Sequence, residues 1–511
     1  MEAHQHAVAR ISSQISTFYQ RQEPFRLYHG STNSTQSRKV DPKRMVDTSA
    51  LTHVLKVNKE SKTCLVESNV PMDKLVDATI PHGLVPPVIT EFPGKLGITV
   101  GGAFAGTAGE SSGFKHGFFD SSVNWIEIVL ATGQIVTASS TEHSDLFYAA
   151  AGSFGTLGVM TMMEIQCIDA SQYVKLRYQP TIGIRETLRA LQEACSLDAG
   201  NDYVDGILLS RDRGVIISGN LTDDVPSNSR IQRFARASDP WHYIHADRIT
   251  SHSDEAVEEL TPLRDYLFRY DRGAFWTGRY AFQYFLVPFN RITRYLLDYF
   301  MHTRVMYHAL HASGLARQYM IQDLLLPTAT AQEFIEDVAT ELDFWPLWLC
   351  PFRSQRAELA LHPRLRTTKH PSQSINEDQE SEREATMYIN IGVWGPASTT
   401  YSTFIQQNRS LEAKVRELEG VKWLYAQAYY TEEEFDEIYD RGWYENLREK
   451  YGATHLPTVF EKTRVDLPRT TAVGTSTWES WFRGKAWEMW PVSGLYGVWK
   501  AVSAREYLLA K

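Results

Sequence analysis

This 511-residue sequence has few cysteines, no excess of positive charge and no long apolar run, and each of these absences excludes a class of protein. Its four cysteines, Cys64, Cys167, Cys195 and Cys350, lack the CxxC or Cys/His spacing of a zinc site, so we expect no metal centre and a reducing compartment. The net charge of -9, with scattered Lys and Arg, argues against nucleic-acid binding. No apolar run reaches the roughly 18 residues of a membrane span, and the N-terminus lacks a signal peptide's apolar core. We therefore expect an intracellular protein that is largely soluble.

Glycine, by contrast, is concentrated in one stretch. Residues 101–117, GGAFAGTAGESSGFKHG, contain six glycines and no branched aliphatic residue. Glycine is favoured where φ is positive or where a ligand approaches the backbone closely. The stretch therefore predicts a surface shaped against a ligand, although the glycines alone leave a glycine-rich turn between strands as an alternative. A second cluster, GSFGTLG, follows at 152–158.

The first third of the chain mixes helical and strand patterns, which predicts an α+β fold. A β-prone segment at 96–100 precedes the glycine stretch. The other elements that we predict are a capped helix over 46–55, a strand over 62–67, a helix over 70–82 ending at Gly83, a hairpin over 125–138, a helix over 145–151 and a strand over 159–166.

Changes in composition divide the chain into three predicted parts. The first domain spans 1–168, and an aromatic-rich substrate or cap domain spans 169–465. Within the latter, the polar and acidic segment 369–386 is predicted to be a mobile insertion between strands at 356–362 and 387–393. Residues 466–511 form a C-terminal extension rich in tryptophan.

Five motifs occur in a recognisable order in the first domain. They are VDTSAL (46–51), VESNVPMDKLVDATIPHGL (66–84), the glycine stretch, NWIEIVLATGQIV (124–136) and SDLFYAAAGSFGTLGVMTMMEI (144–165). This order resembles the FAD-binding domain of the vanillyl-alcohol oxidase and p-cresol methylhydroxylase (PCMH) superfamily. The resemblance implies a two-subdomain FAD-binding fold, followed by an α+β substrate domain with an antiparallel sheet.

The similarity to the Δ24-sterol reductases is more specific because it continues beyond the cofactor domain. It includes the segments TPLR (261–264), IQDLLLP (321–327), WLCPF (348–352), YINIG (388–392) and LYAQAYY (424–430). The resemblance implies an FAD-dependent reductase of a side-chain carbon–carbon double bond in a sterol or related terpenoid. Hydride would come from N5 of the reduced flavin, a proton from a donor in the pocket, and electrons from NADPH. No second GxGxxG motif is visible, so NADPH is expected to bind transiently at the flavin.

By the same resemblance, the FAD diphosphate lies against glycine-rich loops whose backbone amides hold its charge. The implied cofactor-binding residues are Gly30, Ser31, Thr32, Asn33, Ser34, Thr99, Val100, Gly101, Gly102, Gly106, Thr107, Gly109, Glu110, Ser111, Ser112, His116, Gly117, Gly152, Gly155, Thr156, Gly158 and Val159. Many members of the superfamily attach FAD through a histidine after the first glycine, but here Ser31 follows Gly30. We therefore predict that FAD is bound non-covalently.

Two residues are predicted to act in catalysis. Related flavoenzymes place tyrosines from the C-terminal part of the chain over the flavin, which makes Tyr425 the candidate proton donor; a tyrosine packed in the core is the alternative. Arg272 and Trp276 match a reductase segment and are predicted to shape the pocket, although a buried ion pair would also explain Arg272. His116 stands where those reductases often carry tyrosine, which leaves its role open.

The chain departs from the Δ24-sterol reductases at both ends. Those proteins usually begin with a membrane anchor, which is not apparent here, and usually end near Lys462. The additional residues include Trp478–Trp490 and Leu495–Trp499. Such a segment suits either peripheral contact with the endoplasmic reticulum membrane or packing onto the protein's own domain or a partner subunit.

Other activities remain open on the sequence. One is an oxidase, dehydrogenase or isomerase of a specialised metabolite on the same fold. Another is a non-redox protein in which FAD is structural and the pocket binds a sterol. Substrate, direction of electron flow and oligomeric state are not encoded in any motif that we identify.

Overall fold

The computed structural model describes residues 1–28, 41–90, 97–227, 229–251, 255–353, 387–397, 400–465 and 490–503. The predicted insertion at 369–386, the predicted strand at 356–362 and residues 466–489 lie outside these ranges. Within the described residues, no helix is both long and apolar enough to cross a membrane.

Helices and strands are mixed along the chain, which confirms the α+β class. The strands in chain order are β1 (Arg26–Tyr28), β2 (Met45–Asp47), β3 (Val54–Asn58), β4 (Thr63–Glu67), β5 (Leu84–Val85), β6 (Val123–Leu130), β7 (Ile135–Ser139), β8 (Gly158–Gln166), β9 (Ile168–Asp169), β10 (Tyr173–Ile182), β11 (Tyr203–Ser210), β12 (Arg213–Thr222), β13 (Val257–Pro262), β14 (Tyr319–Pro327), β15 (Leu347–Arg353), β16 (Met387–Pro396) and β17 (Val421–Lys422). The α-helices are α1 (Glu2–Gln20), α2 (Met72–Thr79), α3 (Val100–Ala105), α4 (Gly113–His116), α5 (Ser144–Ala150), α6 (Gly183–Ala194), α7 (His242–Thr250), α8 (Leu263–Leu267), α9 (Gly278–Tyr284), α10 (Arg291–Leu296), α11 (Thr303–Ser313), α12 (Thr328–Glu341), α13 (Tyr401–Glu417), α14 (Glu432–Ile438), α15 (Arg441–Lys450), α16 (Val459–Thr463) and α17 (Val492–Ser503).

A five-stranded antiparallel sheet organises the first part of the chain, in the order β3-β4-β8-β6-β7. The predicted hairpin is confirmed, because β6 pairs with β7 across a turn in which Gly133 has φ of 93°. The predicted helix end at Gly83 is also confirmed: this residue closes a short 3₁₀ turn after α2 with φ of 73°, which favours glycine.

An eight-stranded antiparallel sheet organises the later part, in the order β13-β10-β12-β11-β15-β16-β14-β17. It confirms the antiparallel sheet expected for the substrate domain. Its strands β14, β15 and β16 carry buried apolar side chains on both faces, because alternate residues belong to two different core clusters.

The N-terminal helix α1 packs on the five-stranded sheet through one face. Its buried residues His4, Val8, Ile11 and Ile15 recur at helical spacing. The three apolar residues share a core cluster with residues of β6 and β8. This helix is therefore an integral part of the first domain.

Two local predictions were wrong. The segment 46–55 is not a helix, because β2 pairs in parallel with β1 and β3 pairs with β4, and this tertiary pairing outweighs the local cap signal. The described part of the β-prone segment before the glycine stretch is not a strand either. Thr99 instead caps α3, its hydroxyl accepting a hydrogen bond from the Gly102 amide at 3.1 Å.

Candidate active site

A cavity of about 2490 Å³ is lined by the glycine-rich segments, by the eight-stranded sheet and by helices α9, α11 and α17. Ligand pockets usually measure roughly 300–1,000 Å³. The cavity therefore has room for a cofactor and a substrate together.

The glycine-rich side carries few side chains that project into the cavity. Of the predicted cofactor-binding residues, those that line it are Thr99, Gly101, Gly102, Gly106, Gly109, Gly155, Gly158 and Val159. They belong to α3 with its cap, to the segment after α3, and to the loop before β8 and the start of that strand. The two glycine clusters thus meet at one wall although they are about fifty residues apart in the chain.

Close packing within the protein explains several of these glycines. A Cβ on Gly101 would lie 2.9 Å from the Ser68 carbonyl oxygen, and one on Gly158 would lie 2.6 Å from the carbonyl oxygen of Val129. A Cβ on Gly109 would lie 2.2 Å from Cε1 of Phe352, which comes from β15. The glycine stretch is therefore shaped partly by the second sheet and not only by a ligand.

Three polar groups at this wall suit an anionic, hydrogen-bonding cofactor such as FAD. The Thr90 hydroxyl is buried at the cavity wall and has no hydrogen-bond partner in the described part of the chain. Lys462 lines the cavity beside Gly155, and its ammonium group donates to the Phe154 carbonyl oxygen. Arg26 lines the cavity as well. Small residues, two cations and an unsatisfied hydroxyl fit a dinucleotide with a diphosphate.

A second part of the cavity wall is aromatic. Phe275 lies 4.4 Å from Trp394 and 5.1 Å from Trp348 between ring centroids, and all three rings line the cavity. Phe352 and Trp423 continue this wall, with their centroids 5.6 Å apart. The Trp423 indole donates to the Thr107 carbonyl oxygen at 2.9 Å, which ties this wall to the glycine stretch. Such a surface suits a rigid apolar ligand.

The chain reaches this wall through a strained turn. Gly273, Ala274 and Phe275 have consecutive positive φ values of 84°, 40° and 62°. Residues other than glycine seldom adopt this conformation unless surrounding contacts enforce it. The strain presents the Phe275 ring to the cavity.

Arg272 secures the start of that turn. Its guanidinium is buried and pairs with Asp298 at 2.8 Å. It also donates to the carbonyl oxygens of Phe234, Ala237 and Asp239 at 2.9–3.2 Å. Arg272 does not line the cavity. It forms a buried ion pair instead, which is the alternative that the sequence left open for this residue.

Tyr425 lies at the cavity wall and bonds a buried carboxylate. Its hydroxyl donates to Oδ2 of Asp323, whose other oxygen accepts from the Asn390 amide at 2.9 Å. All three residues line the cavity. Burial raises the pKa of Asp323 to about 6, although the hydrogen bonds from Tyr425 and Asn390 oppose this shift. The pair can therefore carry a proton near neutral pH.

The other predicted cofactor-binding residues lie elsewhere. Gly30, Ser31, Thr32, Asn33 and Ser34 are outside the described residues. Those that do not line the cavity are Val100, Thr107, Glu110, Ser111, Ser112, His116, Gly117, Gly152 and Thr156. Most are buried beneath the wall: Glu110 pairs with Arg269 at 2.8 Å, for example. Partial burial lowers the pKa of His116.

Asp323, Lys462, Arg26 and Thr90 were not identified from the sequence. Only Asp323 carries a local signal, because it is a lone carboxylate within the apolar strand β14. Lys462, Arg26 and Thr90 carry no local sequence signal, and their role at the cavity is visible only in the folded structure.

Comparison with known proteins agrees with this site. The family model described as "FAD binding domain" matches residues 6–139. The Delta(24)-sterol reductase of Homo sapiens is 32% identical over 420 residues, covering 81% of this chain and 76% of that protein. The Delta(24)-sterol reductase of Arabidopsis thaliana is 29% identical over 443 residues, with the same coverage of 81% and 76%. Cytokinin dehydrogenase 7 of Oryza sativa is 33% identical, but over 162 residues that cover only 31% of this chain.

Proposed function

Because this chain belongs to the Delta(24)-sterol reductase family and is an FAD-dependent oxidoreductase, we propose that it reduces a side-chain carbon–carbon double bond in a sterol or related terpenoid. NADPH is the proposed electron source. The observation that carries the proposal is the cavity itself, which has a glycine-rich wall and an aromatic wall with the Tyr425–Asp323 pair.

The glycine-rich wall is the proposed FAD site, and the cofactor is held without a covalent bond. Gly101, Gly102, Gly106 and Gly155 provide a floor without side chains, against which a flat or extended group can lie. Lys462 would supply positive charge for the diphosphate. Denaturation in acid should release FAD into the supernatant.

The aromatic wall is the proposed sterol site. Trp348, Trp394 and Phe275 present large rigid faces to the cavity, and Phe275 is the last residue of the strained turn at 273–275. A sterol buried against these rings is stabilised by roughly 25 cal/mol for each Å² of apolar surface removed from water. The wall also excludes water from the reacting bond.

When bound and reduced, FAD supplies the hydride for one carbon of the double bond. The second carbon needs a proton, and Tyr425 is the proposed donor because its hydroxyl lies at the cavity wall. When Asp323 is protonated, its carboxyl can donate to the Tyr425 oxygen, which frees the tyrosine proton to point into the cavity. Asp323 then replaces the proton that Tyr425 loses.

The proposed location follows from the proposed substrate. Sterols reside in membranes, and we propose that the protein associates peripherally with the endoplasmic reticulum membrane, with the C-terminal extension taking part. Helix α17 of that extension packs on α11 and lines the cavity, so it is placed near the substrate.

The first test mixes the purified FAD-loaded protein with NADPH under anaerobic conditions and follows the flavin's visible absorption. We expect bleaching that is reversed by a sterol with a Δ24 double bond, but not by the same sterol with a saturated side chain. Bleaching without reversal would exclude this sterol and direct the search to other alkenes. A flavin that stays oxidised would contradict the reductase and favour an oxidase or a non-redox role.

A further inference from the structure

Two helical segments at the cavity expose apolar stripes that have no covering element in the described part of the chain. Along α10 and the turn after it, the exposed apolar residues are Ile292, Tyr295, Leu296 and Tyr299. Along α17 they are Val492, Leu495, Tyr496, Trp499 and Val502. Both sets recur every three or four residues, so each lies along one helix face.

The stripes are unusually exposed for side chains of this type. Ile292 and Leu296 are 71% and 69% exposed, and Trp499 is 58% exposed. Surface leucines occur singly on most proteins, but a run of them along one face marks an interaction site. We call the residues of both stripes, together with Leu286 and Trp490, the apolar rim.

The start of the α17 segment contacts the end of α9, which precedes α10 in the chain. The Trp490 indole donates to the Tyr284 carbonyl oxygen at 2.6 Å. Gly494 lies against the rings of Tyr284 and Phe285, since a Cβ there would come within 2.4 Å of Tyr284 and 2.9 Å of Phe285. Leu286, which is 74% exposed, therefore stands beside the start of α17.

Part of the rim lies at an opening of the cavity. Trp490, Leu495 and Trp499 line the cavity and are each more than half exposed, so the cavity meets solvent at these residues. On the other stripe, Leu297 and Phe300 line the cavity while their neighbours Leu296 and Tyr299 face outward. Helix α17 and the turn after α10 thus contribute residues to the cavity as well as to the rim.

The charge around the rim is positive, although the whole chain carries a net charge of -9. Segments 279–304 and 490–503 contain five cations, Arg279, Arg291, Arg294, Arg304 and Lys500. They contain a single carboxylate, Asp298, and this group already pairs with Arg272 and His302. An apolar face bordered by cations and rich in Trp and Tyr matches the interface of a bilayer with anionic lipids.

We propose that the apolar rim docks on the surface of a lipid bilayer, so that the cavity opens directly into the lipid. Because the rim borders that opening, an apolar molecule can pass from the lipid into the cavity without crossing water. A second copy of the chain seated on the same residues would instead cover the opening. The docking stands on the exposed stripes and charges alone, whereas the delivery of a sterol rests on the function proposed above.

Flotation of the full-length protein with vesicles tests the docking. The vesicles are phosphatidylcholine alone and phosphatidylcholine with phosphatidylserine. The rim variant is Ile292→Ser with Leu296→Ser, because neither residue lines the cavity. Its matched control is Ile182→Ser with Leu197→Ser, which removes apolar side chains that are 70% and 83% exposed outside the rim.

We expect wild type to float, more strongly with phosphatidylserine, and the rim variant to partition on the order of tenfold more weakly, since two aliphatic groups leave the lipid. The control should match wild type, and both variants should retain FAD. A rim variant that floats like the control would overturn the proposal, as would a wild-type protein that does not float. In the latter case, dimers that the rim substitutions dissociate would assign the surface to a second copy.

Measuring sterol reduction by wild type and the rim variant distinguishes a failure of the docking proposal from a failure of the proposed function. Sterol in vesicles should be reduced more slowly by the rim variant, whereas sterol delivered by cyclodextrin should be reduced at the wild-type rate. Equal rates from vesicles would contradict delivery through the rim. If no form of the protein reduces sterol but the flotation pattern holds, the docking stands and the proposed function fails.

Discussion

At the scale of single residues, the proposed chemistry depends on the Tyr425 hydroxyl. Replacement by phenylalanine keeps the ring at the cavity wall but removes the proton. We expect Tyr425→Phe to lower the rate at which substrate re-oxidises reduced flavin by about 10²–10⁴-fold, the usual contribution of a general acid. Flavin reduction by NADPH should be unchanged, because it does not use this proton. Stopped-flow absorption measures both half-reactions.

Tyr429→Phe is the matched control for that substitution. Tyr429 is buried and its hydroxyl donates to Gln427 at 2.7 Å, but unlike the half-buried Tyr425 it does not line the cavity. In Tyr429→Phe, the rate at which substrate re-oxidises the reduced flavin should stay within a few-fold of wild type. An equal loss in both variants would mean that Tyr425 acts through packing rather than proton transfer.

The pKa of Asp323 predicts how the rate of proton transfer depends on pH. Burial raises the pKa of this carboxyl to about 6, so it is protonated below that value and ionised above it. Only the protonated form can donate to Tyr425, and the re-oxidation rate should therefore fall as pH rises through about 6. In Asp323→Asn the amide donates at every pH while its oxygen still accepts from Asn390, so the re-oxidation rate should no longer fall through about pH 6. If the rate of the variant still falls there, another group is responsible for the titration.

At the scale of elements, helix α1 is held to the sheet by a buried histidine between two glutamates. The two ring nitrogens of His4 lie 2.9 Å from Glu67 Oε1 and 2.9 Å from Glu127 Oε1. Hydrogen bonds to Glu127 and Glu67 raise the pKa of His4 to about 9, against the cost of burial. The charged histidine therefore contributes stability that is fully present below its unfolded pKa near 6.5 and is lost as pH rises through about 9.

We expect His4→Gln to remove this pH-dependent contribution. The shift corresponds to about 3 kcal/mol, so the free energy of unfolding of wild type should fall by about that much relative to the variant between pH 6.5 and 9. Denaturant unfolding across this range measures the difference. For His82→Gln, at an exposed position, the free energy of unfolding should depend on pH as it does in wild type. If His4→Gln also showed the wild-type pH dependence, His4 would be neutral in the folded protein.

At the scale of the whole molecule, the glycine stretch joins the cofactor side to the eight-stranded sheet. Phe352 of β15 occupies the space that side chains on Gly109 and Gly113 would need. In the same junction, buried Arg269 bonds Glu110 of the glycine stretch at 2.8 Å and Asp205 of β11 at 3.1 Å. Such a paired triad fixes the relative positions of its elements, since removal of one member leaves buried charge uncompensated.

Gly109→Ala tests this junction. The added Cβ would lie 2.2 Å from the Phe352 ring, so the ring must move. We expect the free energy of unfolding to fall by about 1–3 kcal/mol, and FAD to dissociate faster because the cavity wall shifts with the ring. Thermal unfolding and the rate of flavin release measure the two effects.

Gly442→Ala is the control, because a Cβ there meets only an ordinary contact at 3.7 Å within α15. This substitution should be neutral or slightly stabilising. If Gly109→Ala behaved in the same way, Phe352 would have space to relax and the two sheets would not depend on this contact.

Local patterns predicted several elements correctly and failed where pairing partners are distant. The hairpin of β6 and β7 and the end of the helix before Gly83 depend on neighbouring residues, so sequence alone identifies them. The segment 46–55 carries a helix cap signal, but its strands pair with 26–28 and 63–66. A propensity of a few tenths of a kcal/mol per residue does not outweigh such pairing.

The sequence by itself determined the α+β class, the FAD-binding domain and the reductase family, because the motifs that carry them are short and ordered along the chain. Only the tertiary structure decided which residues meet at the cavity. Tyr425 and Asp323 are 102 positions apart, and Gly109 reaches Phe352 from another sheet. The outward direction of the stripes on α10 and α17 also depends on which helix face the rest of the fold covers. Such contacts arise from the packing of distant elements, and no local pattern of residues encodes them.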